Sequence, residues 1–231
     1  DRVMDQLDYG DDAPWPIGSD GSGMTLAKRR PSLATSEAES WGTSRMEGGS
    51  LGRPNGGIAS PGALVISEVV SGALELHNRG DLPINLADYS FRALPALGEI
   101  ELAPQAFHVV ETEAITMGDV IFLIGGEGEL LDSARVQERG QGRLDGRGDS
   151  WFYTDEDTLG SPNKVTLRDE IVISEIMYHF PPLYDQPATV ENEFQERDEE
   201  WIELFNRSGG TIDLSGWRLD EGKTGCMDKK D

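Results

Sequence analysis

The stretch from Trp201 to Leu219 reads W-I-E-L-F-N-R-S-G-G-T-I-D-L-S-G-W-R-L, and its pattern decides the fold class. Apolar and polar residues alternate in two short runs, Ile202 to Leu204 and Ile212 to Leu214. Successive side chains on a β-strand point to opposite faces, so each run predicts a strand with one apolar face. The intervening N-R-S-G-G supplies residues that adopt the positive φ of hairpin turns. The stretch therefore predicts an all-β fold, with a third strand starting near Trp217.

The same pattern occurs earlier in the chain. Leu74 to Phe91 reads L-E-L-H-N-R-G-D-L-P-I-N-L-A-D-Y-S-F, and the strand before it, L-V-I-S-E-V from Leu64, returns as I-V-I-S-E-I from Ile171, 107 residues later. The closing word L-G-R-P-N at 51–55 returns as L-G-S-P-N at 159–163, 108 residues later. A period of this size is the length of a domain, so the chain is predicted to hold tandem copies of one β module.

Three segments follow from this repeat. Residues 1–60 are predicted to be the C-terminal part of one module, residues 62–165 a complete module, and residues 169–231 the N-terminal part of a third, with an acidic and proline-rich loop at 180–200. We expect the chain to be a piece of a longer tandem array. An alternative is that 1–60 pairs with 169–222 to complete a second sandwich.

Local patterns add detail. Val3 to Gly10 is predicted to be a strand, because it resembles a later apolar run that starts at Leu130. Ile100 to Leu102 and Phe107 to Val110 are predicted to form a hairpin around Ala103-Pro104-Gln105. The Gly/Arg/Asp-rich segment 139–149 is predicted to be a mobile loop.

Composition narrows the function classes. The chain has 231 residues, a formal net charge of -23 and a single cysteine. The negative charge argues against nucleic acid and anionic membrane surfaces as partners, since both are bound through Lys and Arg. One cysteine excludes an internal disulfide framework. The sequence has no apolar run long enough for a membrane span.

Several words, kept in order, resemble the lamin-tail domain family. They are I-V-I-S-E-I-M-Y at 171–178, E-W-I-E-L-F-N at 200–206 and D-L-S-G-W-R-L at 213–219, with G-S-P-N at 160–163 and A-P-W-P at 13–16 similar to bacterial members. The resemblance implies an immunoglobulin-like β-sandwich that tethers or binds and is not an enzyme. It also implies a large secreted or surface bacterial protein, in which such modules accompany nuclease, phosphatase or spore-coat-protein-H-like kinase domains.

Catalytic motifs are missing from the sequence: it has no G-x-S-x-G, P-loop or complete G-x-G-x-x-G word. Calcium is the metal that the composition best suits, because carboxylates on glycine-rich loops are ligands for a hard cation. Neither candidate loop has the spacing of a calcium-binding loop, and a solvated acidic surface is the alternative. The candidate ligands are Asp11, Asp12 and Asp20 in one loop, and Asp155, Glu156 and Asp157 in another.

Acids at matching positions of the repeat raise a second alternative. Glu68 and Glu75 in one copy, and Glu175 and Glu203 in the other, interrupt apolar strands. They could form catalytic carboxylate pairs. We expect them instead to face outward or lie at an edge, where a charge discourages aggregation between sheets.

The positions of the five tryptophans are relevant to the kind of partner that the chain binds. They are expected to anchor cores and corners, with a carbohydrate-binding face as the alternative; they are Trp15, Trp41, Trp151, Trp201 and Trp217. The sequence thus predicts a non-catalytic interaction or spacer module without a cofactor, extracellular or on the cell surface, whose partners are a protein, a cell-surface polymer and neighbouring domains of the same chain. The alternative is a carbohydrate- or calcium-binding accessory module of an extracellular enzyme.

Overall fold

A computed structural model of the chain describes residues 6–12, 14–92, 94–167, 169–178, 200–215 and 217. The chain divides into two compact units: the described residues up to Thr166 form the first unit, and those from Leu167 onward form the second. Strands dominate both units, and the helical elements among the described residues are single-turn 3-10 helices at Ile17–Ser19, Ala38–Ser40 and Leu86–Asp88. The all-β prediction is confirmed.

The strands are numbered in chain order. Those described in the first unit are β1 (Leu26–Lys28), β2 (Trp41–Thr43), β3 (Leu64–Val70), β4 (Ala73–Asn78), β5 (Ile84–Asn85), β6 (Ser90–Phe91), β7 (Glu101–Leu102), β8 (Phe107–Glu111), β9 (Val120–Ile124), β10 (Leu130–Arg135), β11 (Gln141–Arg143) and β12 (Trp151–Tyr153). Those described in the second unit are β13 (Ile171–Met177) and β14 (Trp201–Asn206).

Two antiparallel sheets make up the body of the first unit. The larger has the order β12-β11-β3-β4-β8, and the smaller has the order β10-β9-β6. Their inner faces contribute to one apolar cluster, as expected for two sheets that pack face to face. The fold is therefore sandwich-like. Fully buried members of the cluster include Leu64, Ile66, Leu74 and Leu76 from the larger sheet and Leu123 and Ala134 from the smaller.

An ion pair inside this body joins the two sheets. Asp132 on β10 accepts two bonds from the guanidinium of Arg143 on β11, at 2.5 and 2.9 Å. The two side chains are 3% and 8% exposed. They also satisfy Ile66, because its N–H donates to Asp132 Oδ2 at 2.9 Å and its carbonyl accepts from Arg143 Nη1 at 3.1 Å. Trp151 lies 4.4 Å below the guanidinium and completes the site.

The segment before β3 packs onto the smaller sheet. Met24 is buried in a cluster with Phe122, Ile124 and Leu130, and the Leu130 N–H donates to the Arg45 carbonyl at 2.9 Å. In the described part of the chain β1 and β2 are each other's strand partner. The alternative that 1–60 pairs with 169–222 stays a prediction.

Two elements predicted for residues 100–149 are wrong. Ile100–Leu102 and Phe107–Val110 do contain strands, but β7 pairs with β5 and β8 pairs with β4, so the connection at 103–106 passes between sheets and is no hairpin. The predicted mobile loop 139–149 contains β11, which pairs with both β3 and β12.

Other local predictions also differ. Residues 6–10 and Ile212 to Leu214 are not strands. In the first copy the run that matches Ile212 to Leu214 forms only the two-residue strand β5, which needs β7 as its partner. Residues 1–5, nearly all of the acidic loop at 180–200 and the chain after Trp217 lie outside the described residues.

We expect Asp132→Ala to lower the free energy of unfolding by about 3–5 kcal/mol, because it leaves the Arg143 charge buried without its partner. Urea denaturation followed by circular dichroism measures this change. Lys164→Ala is the control: its partner Glu156 is 3.2 Å away, and both side chains are 64% or more exposed. That substitution should cost less than about 1 kcal/mol. Equal losses in the two variants would contradict the prediction.

Candidate functional site

The most unusual feature of the first unit is a pair of buried acids. Glu68 on β3 and Glu75 on β4 face each other in register, and each is 0% exposed. The register shifts between Ile66 and Glu68, which makes Ser67 the extra residue of a β-bulge. The Ser67 hydroxyl donates to Glu75 Oε1 at 2.6 Å. The acids do point away from the apolar cluster, but the prediction that they face outward to solvent is wrong because a distant segment covers them.

That covering segment is residues 158–163, which we call the closing loop. The Thr158 N–H donates to Glu68 Oε1 at 2.9 Å, and the Thr158 hydroxyl donates to Glu68 Oε2 at 3.0 Å. The Gly160 N–H donates to Glu75 Oε2 at 2.5 Å. Gly160 has a φ of +87°, which a side-chain-bearing residue rarely adopts, so glycine allows the loop to aim this N–H at the carboxylate.

Asn163 fixes the closing loop to the sheet. Its Nδ2 donates to the carbonyls of Ser67 at 2.9 Å and Arg143 at 3.0 Å, and its Oδ1 lies 3.0 Å from the Thr158 hydroxyl oxygen. The amide lies directly above Gly142, where an added Cβ would be 2.5 Å from Asn163 Cγ. The bulged residue, β11 and the closing loop are thus joined through one side chain.

Burial sets the electrostatics of the acids. Desolvation raises the pKa of Glu68, opposed by the bonds from Thr158. Desolvation also raises the pKa of Glu75, which the charge of Glu68 raises further and the bonds from Ser67 and Gly160 oppose. All four carboxylate oxygens accept a hydrogen bond from the protein. A pair with no exposed surface and no unused oxygen holds the sheet and loop together, and it has no approach for a substrate.

The second unit contains the same bulged hairpin. β13 pairs with β14 with a register shift between Ile173 and Glu175, which again makes a serine, Ser174, the extra residue. The Ser174 hydroxyl donates to Glu203 Oε1 at 2.5 Å, as Ser67 does to Glu75. The turn after the hairpin is also the same: Asn206 Nδ2 donates to the Gly210 carbonyl at 2.8 Å, matching the bond from Asn78 to Leu82 at 2.8 Å.

The two hairpins differ in what covers them. Glu175 and Glu203 are exposed, and within the described residues no closing loop bonds to their carboxylates. The apolar face is open as well. Residues that are 0% or 1% exposed in the first unit correspond here to side chains 40–54% exposed; the pairs are Ile66 and Ile173, Val69 and Ile176, Leu74 and Ile202, Leu76 and Leu204, and Leu86 and Leu214. We call the five exposed side chains of the second unit the open apolar face.

Residues 50–55 form a second loop with the same local geometry as the closing loop. Gly52 has a φ of +75°, and the Arg53 N–H donates to the Ser50 carbonyl at 2.9 Å, as Ser161 does to Thr158 at 3.0 Å. Asn55 Nδ2 donates to the Lys28 carbonyl at 2.9 Å, as Asn163 does to Arg143.

The strands next to this second loop match too. Lys28 of β1 is in register with Trp41 of β2 and lies 5.7 Å from its ring, as Arg143 of β11 is with Trp151 of β12. The sequence repeat is therefore also a repeat of local geometry at residues 26–55 and 141–163.

The calcium candidates lie in two places, and both hold protein partners. Arg135 binds Asp20 at 2.9 Å and Asp12 at 3.4 Å, and it donates to the Asp11 carbonyl at 2.7 Å.

In the other loop Asp155 accepts from Thr166, and Glu156 pairs with Lys164. Asp157 raises the pKa of Glu68 slightly through its charge. The part of the chain that the structure describes contains no group of three or more potential ligands that could hold a metal ion.

The tryptophans divide between the units. Trp15, Trp41 and Trp151 are half-buried in the first unit. Trp201 and Trp217 are 41% and 42% exposed in the second unit. The tryptophans are thus neither all buried nor aligned in one exposed row.

The residues of the closing loop were missed by sequence reasoning. Thr158, Gly160 and Asn163 carry no chemical motif, and a segment that bonds across 90 residues leaves no local trace. The available signal was the repeated L-G-x-P-N motif itself, because a motif that occurs at the same position of two repeats indicates a contact that both repeats can make.

Comparisons with known proteins give no relative. No family model matches the chain, and no curated protein or solved structure matches it either. Among the described residues no helix has the length and apolar character needed to cross a membrane.

We expect Glu68 and Glu75 to contribute a fall in the stability of the wild-type chain as the pH rises above 4.5, the ordinary pKa of a glutamate. A raised pKa means that the folded state holds a proton that the unfolded state has lost, so unfolding becomes easier until the folded pKa is passed. Glu68→Gln should flatten this slope by at most about 1.4 kcal/mol per pH unit. Urea midpoints across the pH range measure it, with the exposed counterpart Glu175→Gln as control; identical slopes in all three proteins would refute it.

We also expect Asn163→Ala to destabilise the first unit by about 1–3 kcal/mol, because it removes the donor that the carbonyls of Ser67 and Arg143 share. Asn55→Ala removes the corresponding amide from an exposed loop, where water replaces the lost bond, and should cost less than about 1 kcal/mol. Thermal unfolding of both variants tests the difference, and the reverse order would contradict it.

Proposed function

We propose that the chain is a non-catalytic interaction and spacer module of a larger secreted or surface bacterial protein, built from immunoglobulin-like sandwiches of the lamin-tail type. The observation that carries the proposal is the pair of matched hairpins. One is closed within a sandwich-like body, and the other presents an open apolar face to solvent. A group of large apolar side chains exposed on one face of a hairpin is typical of surfaces that bind other molecules.

The burial and hydrogen bonding of Glu68 and Glu75 support the proposal that the module is not catalytic. Glu68 and Glu75 are the best candidates for a catalytic pair in the first unit, yet they are fully buried and every oxygen is used. Their raised pKa values arise from desolvation, and a structural site perturbs a pKa as readily as a catalytic one.

The order of lamin-tail words supports the module family, a location outside the cell or on its surface, and neighbouring domains in the same protein. The sandwich-like packing of two antiparallel sheets around one core is compatible with an immunoglobulin-like fold. A protein or cell-surface polymer is the proposed partner of the open apolar face.

A carbohydrate-binding accessory module is the second candidate, and one observation favours it. Trp201 and Phe205 are 41% and 55% exposed, and they share one face of β14 with Glu203, since residues two apart on a strand point the same way. Aromatic side chains beside a carboxylate can bind a sugar ring. The calcium variant of this candidate rests on the acidic loops alone.

The proposal predicts that a dilute solution of the whole chain binds the apolar dye 8-anilinonaphthalene-1-sulfonate, with an increase in its fluorescence. Ile202→Lys combined with Leu204→Lys should remove most of this increase, because it places two charges on the open apolar face. Leu51→Lys is the matched control, since Leu51 is 99% exposed but stands alone in its loop. An increase that survives the double substitution would reject the proposed surface.

The accessory-module candidate is tested on the same protein. Urea midpoints in millimolar calcium and in EDTA should agree, and insoluble chitin, cellulose or xylan should not retain the chain. A midpoint raised by calcium, or retention lost in Trp201→Ala, would replace the interaction module with the accessory module.

A further inference from the structure

Two elements cover the β3–β4 hairpin of the first unit, namely β11 and the closing loop. The same chain contains a counterpart of each. In the first unit β11 pairs with the edge of β3 that faces away from β4, with Gln141 opposite Val69 and Gly142 opposite Glu68. The closing loop then covers the acids. In the second unit, within the described residues, β13 has β14 as its strand partner.

The matching parts are β1 and the loop at 50–55. β1 corresponds to β11 through its register with β2, and the loop corresponds to the closing loop through the φ of Gly52 and the bond from Arg53 to Ser50. By position, Ser50, Gly52 and Asn55 stand where Thr158, Gly160 and Asn163 stand. The loop has the local geometry of the closing loop, yet its residues 51–55 are all exposed.

Charge favours the same match. The exposed hairpin presents Glu175 and Glu203, which have among the described residues no backbone N–H donors like those that bind Glu68 and Glu75. The loop brings Arg53 where the first unit has Ser161, in addition to Lys28 where it has Arg143. An acidic surface and a basic loop of complementary shape attract each other, and the attraction is weakened by salt.

We propose that the loop at 50–55 and β1 of one molecule close the acid face of the β13–β14 hairpin of a second copy of this chain. The Ser50 and Gly52 N–H groups donate to Glu175 and Glu203 of that copy, and Asn55 donates to its Ser174 carbonyl. Residues 51–55 and the β13–β14 hairpin are different exposed surfaces of one molecule, so the contact is heterologous and extends head to tail. This inference rests on the proposed function and names a partner for the face opposite the open apolar face.

The test uses two variants of the whole chain. The loop variant, Arg53→Glu with Asn55→Asp, removes a donor and adds repulsion at exposed positions. The hairpin variant, Glu175→Ala with Glu203→Ala, removes the exposed acids without adding a positive charge that could pair with the acidic loop of the loop variant. The controls are Arg147→Glu and Glu200→Ala, which each make a single charge change of the same sign at an exposed position elsewhere. Sedimentation velocity at low salt, over a range of protein concentrations, measures the mass of each.

We expect the wild type and both controls to associate as concentration rises, and each double variant to weaken association about tenfold or more. The equimolar mixture of the two variants should form a dimer of about twice the 25.3 kDa mass and stop there, because each supplies one intact surface. Added salt should dissociate it.

Three outcomes would overturn the inference: a wild type that stays monomeric, double variants that still associate, or a mixture that stays monomeric. The Ile202→Lys, Leu204→Lys protein separates this result from the proposed function. Association lost in that protein but kept in both double variants would end the inference and leave the open apolar face as the binding surface. Loss of the dye signal with association intact would do the reverse.

Discussion

Hydrogen bonds from backbone N–H groups to two buried carboxylates hold the closing loop of the first unit against its larger sheet. Glu68 and Glu75 would be costly to bury without partners, since a desolvated and unpaired acid destabilises the folded state by several kcal/mol. The closing loop supplies those partners, and Asn163 joins it to the bulge and to β11. Beside the bulge, the Ile66 N–H donates to Asp132 of the smaller sheet, and the Ile66 carbonyl accepts from Arg143 of the larger sheet. One irregular residue, Ser67, thus lies where the loop, the hairpin and the opposite sheet meet.

Sequence reasoning succeeded where local patterns determine the structure. The alternation around Leu74 to Leu76 and Ile202 to Leu204 placed β4 and β14, and the repeated words placed β3 and β13 in matching positions. It failed at β11, because Gln141-Gly142-Arg143 has no apolar alternation and is held as a strand by its neighbours and by the Arg143 ion pair. The supposed hairpin after Ile100 failed because strand partners are chosen by the whole sheet and not by proximity in sequence.

The site was only half accessible from sequence. Alternation correctly set Glu75 on the face opposite Leu74 and Leu76, but it cannot say whether that face meets water or another segment. The answer came from Thr158, which lies 90 residues from Glu68 along the chain. The comparison between the two hairpins shows how strongly context acts on one local structure. The same bulge and the same serine-to-glutamate bond form in both, so they are properties of the hairpin, whereas burial of the acids is a property of the assembled unit.

The long separation between the acids and their loop has a consequence for the order of folding. Contacts between residues far apart in sequence form late, because the intervening chain must first lose its freedom. The hairpin can pair early, while Glu68 and Glu75 are still hydrated and charged. Until the closing loop arrives, these charges keep the nascent sheet soluble and resist stacking against other unfinished chains. The groups that become the inner anchor of the mature unit therefore serve first as its protection against aggregation.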